Sequence, residues 1–211
     1  MPDARTADVA LLCVWLRRAA QVIDDRQDSL SVLDAVIGDG DHGANMARGF
    51  RAVAGKLDEP PPDVAALLKL VGMTLISTVG GASGPLYGTF FLDMGKAARD
   101  VSALDVPAWR TLLAAGVAGV AARGKAVAGD KTMLDALIPA VAALSGTQSG
   151  PDTPQALARA AEAARQGAEA TIPMIARKGR ASYLGERSAG HEDPGAASSA
   201  LLLTALADTA G

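Results

Sequence analysis

The chain has 211 residues, enough for one substantial hydrophobic core, and a single domain over residues 1–211 is expected. It is 49% hydrophobic but only 3% aromatic, so its interior must be built mainly from Ala, Leu and Val, which suit closely packed helices better than sheets. A net charge of −3, with no stripe of Lys and Arg among aromatics, argues against a general nucleic-acid surface.

Apolar residues recur at helical spacing from end to end. Val9, Leu12, Cys13, Leu16 and Ile23 predict a first helix, with Thr6 as its cap. The run Val9–Leu16 is too short to span a membrane and follows the acidic Asp3 and Asp8, unlike a signal peptide. Cys13 is the lone cysteine, so no intrachain disulfide forms, and a soluble cytoplasmic protein is expected. Met46, Phe50, Val53 and Leu57 predict a second helix, stopped by "EPPPD" (59–63). Asp63 then caps a third that carries Val64, Leu67, Leu68, Val71 and Leu75 on one side. Pro85 fits the first turn of a fourth, followed by the stripe Leu86, Phe90 and Met94.

"DVPAWR" (105–110) opens a fifth helix, and Thr132 begins a sixth that runs through Leu137 and Leu144 with Pro139 as a bending point. "SGTQSGPDTP" (145–154) reads as a loop before an alanine-rich seventh, and Pro194 begins an eighth. No alternating strand of convincing length occurs, so the fold class is all-α, an eight-helix bundle. Four unusual loops, 34–45, 79–85, 124–132 and 177–195, lie at helix boundaries and hold much of the glycine and charge. If alternate helix ends meet on one face, these loops form one site.

The first loop, "IGDGDHGANM" (37–46) with Asp34 just upstream, collects three carboxylates with no basic neighbour between Asp28 and Arg48. At about 4 Å each pair repels by roughly 4 kcal/mol at an effective dielectric near 20. A solvated turn relieves this by splaying Asp34, Asp39 and Asp41 apart. A hard divalent cation relieves it by binding, and Mg²⁺ is usually held by a few carboxylates plus nucleotide phosphates. An EF-hand is excluded, because a loop starting at Asp39 puts Ala44 where glycine belongs and Phe50 where glutamate belongs. Cys13, His42 and His191 lack zinc-ligand spacing. His42 itself reads first as a backbone-bonding loop residue, with a phosphate contact or a base role as the alternatives.

"VGGASGP" (79–85) reads either as a tight connection with Ser83 as N-cap or as a phosphate cradle, since glycines admit close backbone approach and helix starts bind anions. "GKAVAGDKT" (124–132) is not a P-loop: Asp130 separates the second glycine from the lysine, and a helix precedes it rather than a strand. Met133 reads as core or as a surface for a base. "ARKGRASYLGERSAGHEDPG" (176–195) is long and rich in Arg, suited to phosphate as well as to surface ion pairs.

Together, "LDAVIGDGDHGANMARGF", "VGGASGPLYGTFF", "RGKAVAGDKTM" and "ARKGRASYLGERSAGHEDPGA", in that order, resemble the nucleotide-binding L subunits of bacterial dihydroxyacetone kinases. The resemblance covers nearly the whole chain. It implies an eight-helix barrel-like antiparallel bundle with ADP or ATP bound at one end through two Mg²⁺ ions. Carried over, Asp34, Asp39 and Asp41 match metal-binding aspartates, and His42, Gly43, Ala44 and Asn45 match the nucleotide-contacting segment after them. Ala82 and Ser83 match the glycine-loop contacts, Gly124 and Met133 those near the adenine, and Arg180 with Asp193, Pro194 and Gly195 the last contacts. No catalytic residue is carried over; the resemblance places the substrate-holding histidine on a partner.

In the phosphoenolpyruvate-dependent branch, which "GDGDHG" resembles, a phosphotransferase-system phosphocarrier M subunit recharges the bound ADP. The phosphoryl group then passes to dihydroxyacetone on a K subunit. The competing readings are a subunit of an ATP-dependent kinase of another short sugar, and a non-catalytic nucleotide-loaded module contacting a transcription regulator.

Overall fold

The computed structural model describes residues 4–101, 103–145 and 153–210; among them there are helices and turns and no strand. The described residues form nine α-helices in chain order: α1 (Ala4–Asp25), α2 (Gln27–Ile37), α3 (His42–Ala54), α4 (Val64–Thr78), α5 (Ser83–Ala97), α6 (Val106–Gly124), α7 (Leu134–Ala143), α8 (Thr153–Ala170) and α9 (Pro194–Ala210). Two 3₁₀ segments, Ala98–Asp100 and Arg180–Ser188, lie between them. Eight of the helices close a ring. Helix α1 packs on α3, each helix from α3 onward packs on the next, and α9 returns to α1. Helix α2 is the ninth, lying against α3 and α9.

The all-α bundle expected from the apolar spacing is therefore present, with one helix more than the spacing gave. The start signals act as read: Asp63 accepts the Ala66 amide at 2.7 Å, and Asp105 accepts the Ala108 amide at 2.9 Å. Thr6 does not cap α1, because the helix already includes Ala4. Helix α7 continues through Pro139. Most of the loop expected at 145–154 lies outside the described residues.

The predicted faces are the buried ones. Leu12, Leu16, Ile23, Met46, Phe50, Leu67, Leu68, Val71 and Leu75 are all fully enclosed. The few aromatics gather at one place in this small-residue interior. Trp15 lies 5.8 Å from both Phe91 and Trp109, and Phe91 lies 6.4 Å from Phe50 and 5.4 Å from Phe90. The Trp15 indole N–H donates to the Leu202 carbonyl at 2.9 Å, so the cluster joins α1, α3, α5, α6 and α9. Phe91→Ala should cost about 3–5 kcal/mol in denaturant unfolding, the range for deleting a fully buried aromatic. Val32→Ala, on the exposed side of α2, should cost little.

Candidate functional site

The first turns of α3, α5, α7 and α9 reach one cavity of about 390 Å³ at one end of the ring. The last turns of α2 and α6 end at the same cavity. All four loops singled out in the sequence contribute to its wall. Helix starts expose amides without intrahelical partners and carry the positive end of the helix dipole, so this end of the bundle favours anions.

The acidic segment is shorter as a loop than the sequence suggests. Asp34 sits on the last turn of α2, buried, and the loop proper is the turn 38–41. The Asp34 Oδ2 accepts the amides of Asp41 at 3.0 Å and His42 at 3.1 Å, tying the end of α2 to the start of α3. Asp39 and Asp41 are exposed, and one oxygen from each of the three aspartates lies within 4.8 Å of the others. Arg180 donates to Asp39 at 2.8 Å, leaving this cluster with one basic partner for three carboxylates. Such crowding of hard oxygen donors fits a divalent cation.

The residues after Asp41 divide by orientation. His42 lines the cavity, whereas Gly43 faces α2: a Cβ there would collide with the Gln27 carbonyl. Asn45 stands behind the glycine loop, against Gly80, with its Oδ1 accepting from Arg48 at 2.5 Å. Ala44 is exposed. What Gly43 and Ala44 offer a ligand is therefore first-turn backbone.

In the glycine loop, Gly81 takes a φ of +62° with open space around it, a conformation that residues with a Cβ rarely adopt. Ala82 occupies the N-cap position of α5 without a side-chain cap, so the first-turn amides are not covered. Ser83 is not the cap. Its hydroxyl meets His42 Nδ1 at 3.1 Å, while His42 Nε2 meets the Ser198 hydroxyl at 2.9 Å. Tyr87 Oη lies 2.6 Å from the Ser198 hydroxyl and 2.8 Å from that of Ser199, and donates to the Gly195 carbonyl at 3.1 Å. Burial pushes the His42 pKa below the ordinary imidazole value, with Asp34 and Asp41 opposing the shift. Burial likewise raises the Tyr87 pKa. The histidine is thus a hydrogen-bonded link joining α3, α5 and α9, its ring partners being the side-chain hydroxyls of Ser83 and Ser198 and not the loop backbone expected from its sequence context.

The segment 124–133 follows helix α6, in keeping with the rejection of a P-loop. Asp135 folds it, accepting the Gly129 amide at 2.5 Å and the Thr132 amide at 2.8 Å. Met133 is buried and forms part of the cavity wall with Gly124. Arg180 and Lys178 of the basic segment reach the cavity, as do Asp193, Pro194 and Gly195. Asp193 caps α9 by accepting the Ala196 amide at 2.8 Å. Sequence reading passed over Tyr87, Lys131, Asp135 and Ser198, whose role is to hold the wall together.

A ring in which four helix N-termini share one cavity with three clustered carboxylates has the chemistry to suit an anion and a cation together. The chain belongs to the DAK2 domain family, which matches residues 36–208. It is 46% identical over 195 residues to the ADP-binding subunit DhaL of PEP-dependent dihydroxyacetone kinase from Escherichia coli K12, covering 92% of this chain and 93% of that one. It is also 46% identical over 196 residues to the corresponding subunit of PEP-dependent dihydroxyacetone kinase 1 from Listeria innocua, covering 92% and 93%. Among solved structures, the dihydroxyacetone kinase of C. freundii in complex with AMP-PNP and Mg²⁺ matches 99% of this chain, with a TM-score of 0.72 and 32% identity. The chain spans 34% of the length of that one.

Burial pushes the Asp193 carboxyl up to about 7; Asp135 adds to the shift, while the Ala196 amide and Lys131 oppose it. A folded-state pKa above the unfolded one means that Asp193 favours folding at low pH, and that this contribution is lost as pH rises through about 7. Asp193→Asn keeps the capping oxygen but cannot ionise. In thermal unfolding of ligand-free protein between about pH 5 and 8, the wild type should lose stability relative to the variant as pH rises. Parallel profiles would show that Asp193 does not titrate in this window.

Proposed function

We propose that this chain is the nucleotide-binding, phosphoryl-transferring subunit of a PEP-dependent dihydroxyacetone kinase. The observation that carries the reading is the shared cavity, where helix N-termini and Arg180 suit phosphate while Asp34, Asp39 and Asp41 suit the cation that accompanies it. The relatives named as ADP-binding subunits, similar over 93% of their length, support the same reading.

In this reading Asp34, Asp39 and Asp41 hold two Mg²⁺ ions, and Asp34 orients the set because its second bond set is committed to backbone amides. From the segment His42–Asn45 the first-turn amides of Gly43 and Ala44 are the ones left for the phosphates, since those of His42 and Asn45 are bonded to Asp34 and Asp41. The backbone of Ala82–Ser83 joins them, and Arg180 and the Asp193–Gly195 turn close over the phosphates. Gly124 and Met133 receive the adenine. A Mg²⁺ ion held by these aspartates would supply neutralisation of phosphate charge, and a nucleotide held by this lining would supply the phosphoryl group for transfer. The chain's own contribution is positioning and fixed dipoles, which are effective in phosphoryl transfer because little covalent chemistry is asked of the protein. The donor is a phosphocarrier M subunit, and the acceptor is dihydroxyacetone on a K subunit. A cytoplasmic location belongs to the same reading. Among the described residues no helix is long and apolar enough to cross a membrane.

Protein denatured after purification should release adenine nucleotide and magnesium. With K and M subunits and phosphoenolpyruvate it should form dihydroxyacetone phosphate. A preparation free of nucleotide that also ignores added ADP and Mg²⁺ would overturn the reading. Asp39→Asn should weaken Mg²⁺–ADP affinity at least about tenfold by calorimetric titration, with helical content unchanged, since it removes a ligand charge from a turn rather than a core group.

A further inference from the structure

Lys131 is 1% exposed, although lysine is rarely enclosed without a partner. Its partners are backbone carbonyls. The ammonium donates to Thr171 O at 2.9 Å, Met174 O at 3.2 Å and His191 O at 2.5 Å, with Ile172 O at 3.5 Å. The first two residues, Thr171 and Ile172, follow the last turn of α8, where a cation is favoured by the helix dipole and by carbonyls without intrahelical donors. The other side of the cage, His191, lies just before α9. One ammonium therefore clasps the two ends of the segment 172–193.

Neighbouring bonds close the same base. The Gly190 amide donates to Ile172 O at 2.7 Å, the Asp193 amide donates to the Thr171 hydroxyl at 2.9 Å, and the Arg177 amide donates to Asp130 O at 3.0 Å. Lys131 reaches its cage with a φ of +62°, a left-handed conformation disfavoured for a residue with a Cβ. Glycine would serve that backbone better, so the position is occupied for its side chain. Beyond the base, the segment carries Arg180 across to Asp39.

We propose that Lys131 is a positioning residue for the nucleotide site: an internal cation that clasps the base of the 172–193 segment and so holds Arg180 and Asp193 at the cavity. It acts through that segment and not by touching phosphate, since its three protons are directed at carbonyls. The proposal rests on the nucleotide-binding reading above for its consequence, though not for the clasp itself.

The test is a double-mutant cycle on Mg²⁺–ADP affinity with Lys131→Met and Arg180→Ala, after wild-type binding has been established. Lys131→Met should weaken binding about ten- to a hundredfold, the range seen when a group orienting a ligand-contacting residue is lost. Adding Arg180→Ala to it should then weaken binding much less than Arg180→Ala does alone. Full multiplicative loss, or unchanged affinity in Lys131→Met despite a lowered melting temperature, would overturn the proposal and leave Lys131 a stability residue. Hydrogen exchange on nucleotide-free wild-type protein decides the clasp even if the variants do not fold. Amides of Thr171, Ile172, Met174 and 190–193 should be protected well above those of the exposed tip residues Tyr183, Glu186 and Arg187; equal exchange at base and tip would refute it. If wild-type protein binds no nucleotide, the functional reading fails, while the exchange result still stands for or against the clasp.

Discussion

The Asp34 carboxylate makes the bond on which the site depends. By accepting the amides of Asp41 and His42, it ends α2 and starts α3 at once, turning the chain in four residues. That turn fixes Asp39 and Asp41 beside Asp34, and it aims the first turn of α3 into the cavity. A carboxylate bonded by two backbone amides is held in one orientation, so its repulsion with its neighbours cannot relax by rotation as it would in a solvated loop. The arrangement retains an unfavourable concentration of charge that a divalent cation relieves.

Positive charge faces the same cavity. The helices α3, α5, α7 and α9 each begin there, and each helix start acts as a partial positive charge of roughly half a unit. Arg180 adds a full one beside the acids, against Asp39. The cavity thus combines two linings, the wall of the aspartate cluster and the wall of the helix starts of α5, α7 and α9. Phosphate alone meets the aspartates, and a cation alone meets the helix starts. A metal-bound polyphosphate satisfies both walls, and the network of His42, Ser83, Tyr87 and Ser198 keeps the walls at a fixed separation. Alternation of helix direction around the ring makes this possible, because it brings every second helix start to the same end.

Much of this was legible in the sequence because the signals were local. Apolar spacing located eight helices, Asp63 and Asp105 marked their own starts, and the four loops that proved to share a cavity stood out by glycine and charge. Helix α2 was hidden for a physical reason: its inward face is Leu30, Asp34 and Ile37, so the middle buried position is a charged residue and the stripe looks interrupted. Two of its other apolar residues, Val32 and Val36, point outward. The roles of Lys131, Asp135 and Ser198 were not legible at all. Lys131 is bound by carbonyls 40 to 60 residues away, and nothing beside it in the chain distinguishes it from a solvated lysine. For His42 the sequence context suggested backbone bonds, whereas its ring bonds the hydroxyls of Ser83 on α5 and Ser198 on α9, partners that only the fold brings to it.

Whether the aspartates bring a cation to phosphate can be read from thermal unfolding of the wild-type protein with ADP, in Mg²⁺ or in excess chelator. A ligand that binds only the folded state stabilises it by RT ln(1 + [L]/Kd), about 4 kcal/mol at a thousandfold excess over Kd. The melting temperature should rise strongly with ADP and Mg²⁺ together, and little with ADP in chelator. Equal stabilisation by ADP in both conditions would contradict it, and would return Asp34, Asp39 and Asp41 to an ordinary acidic turn.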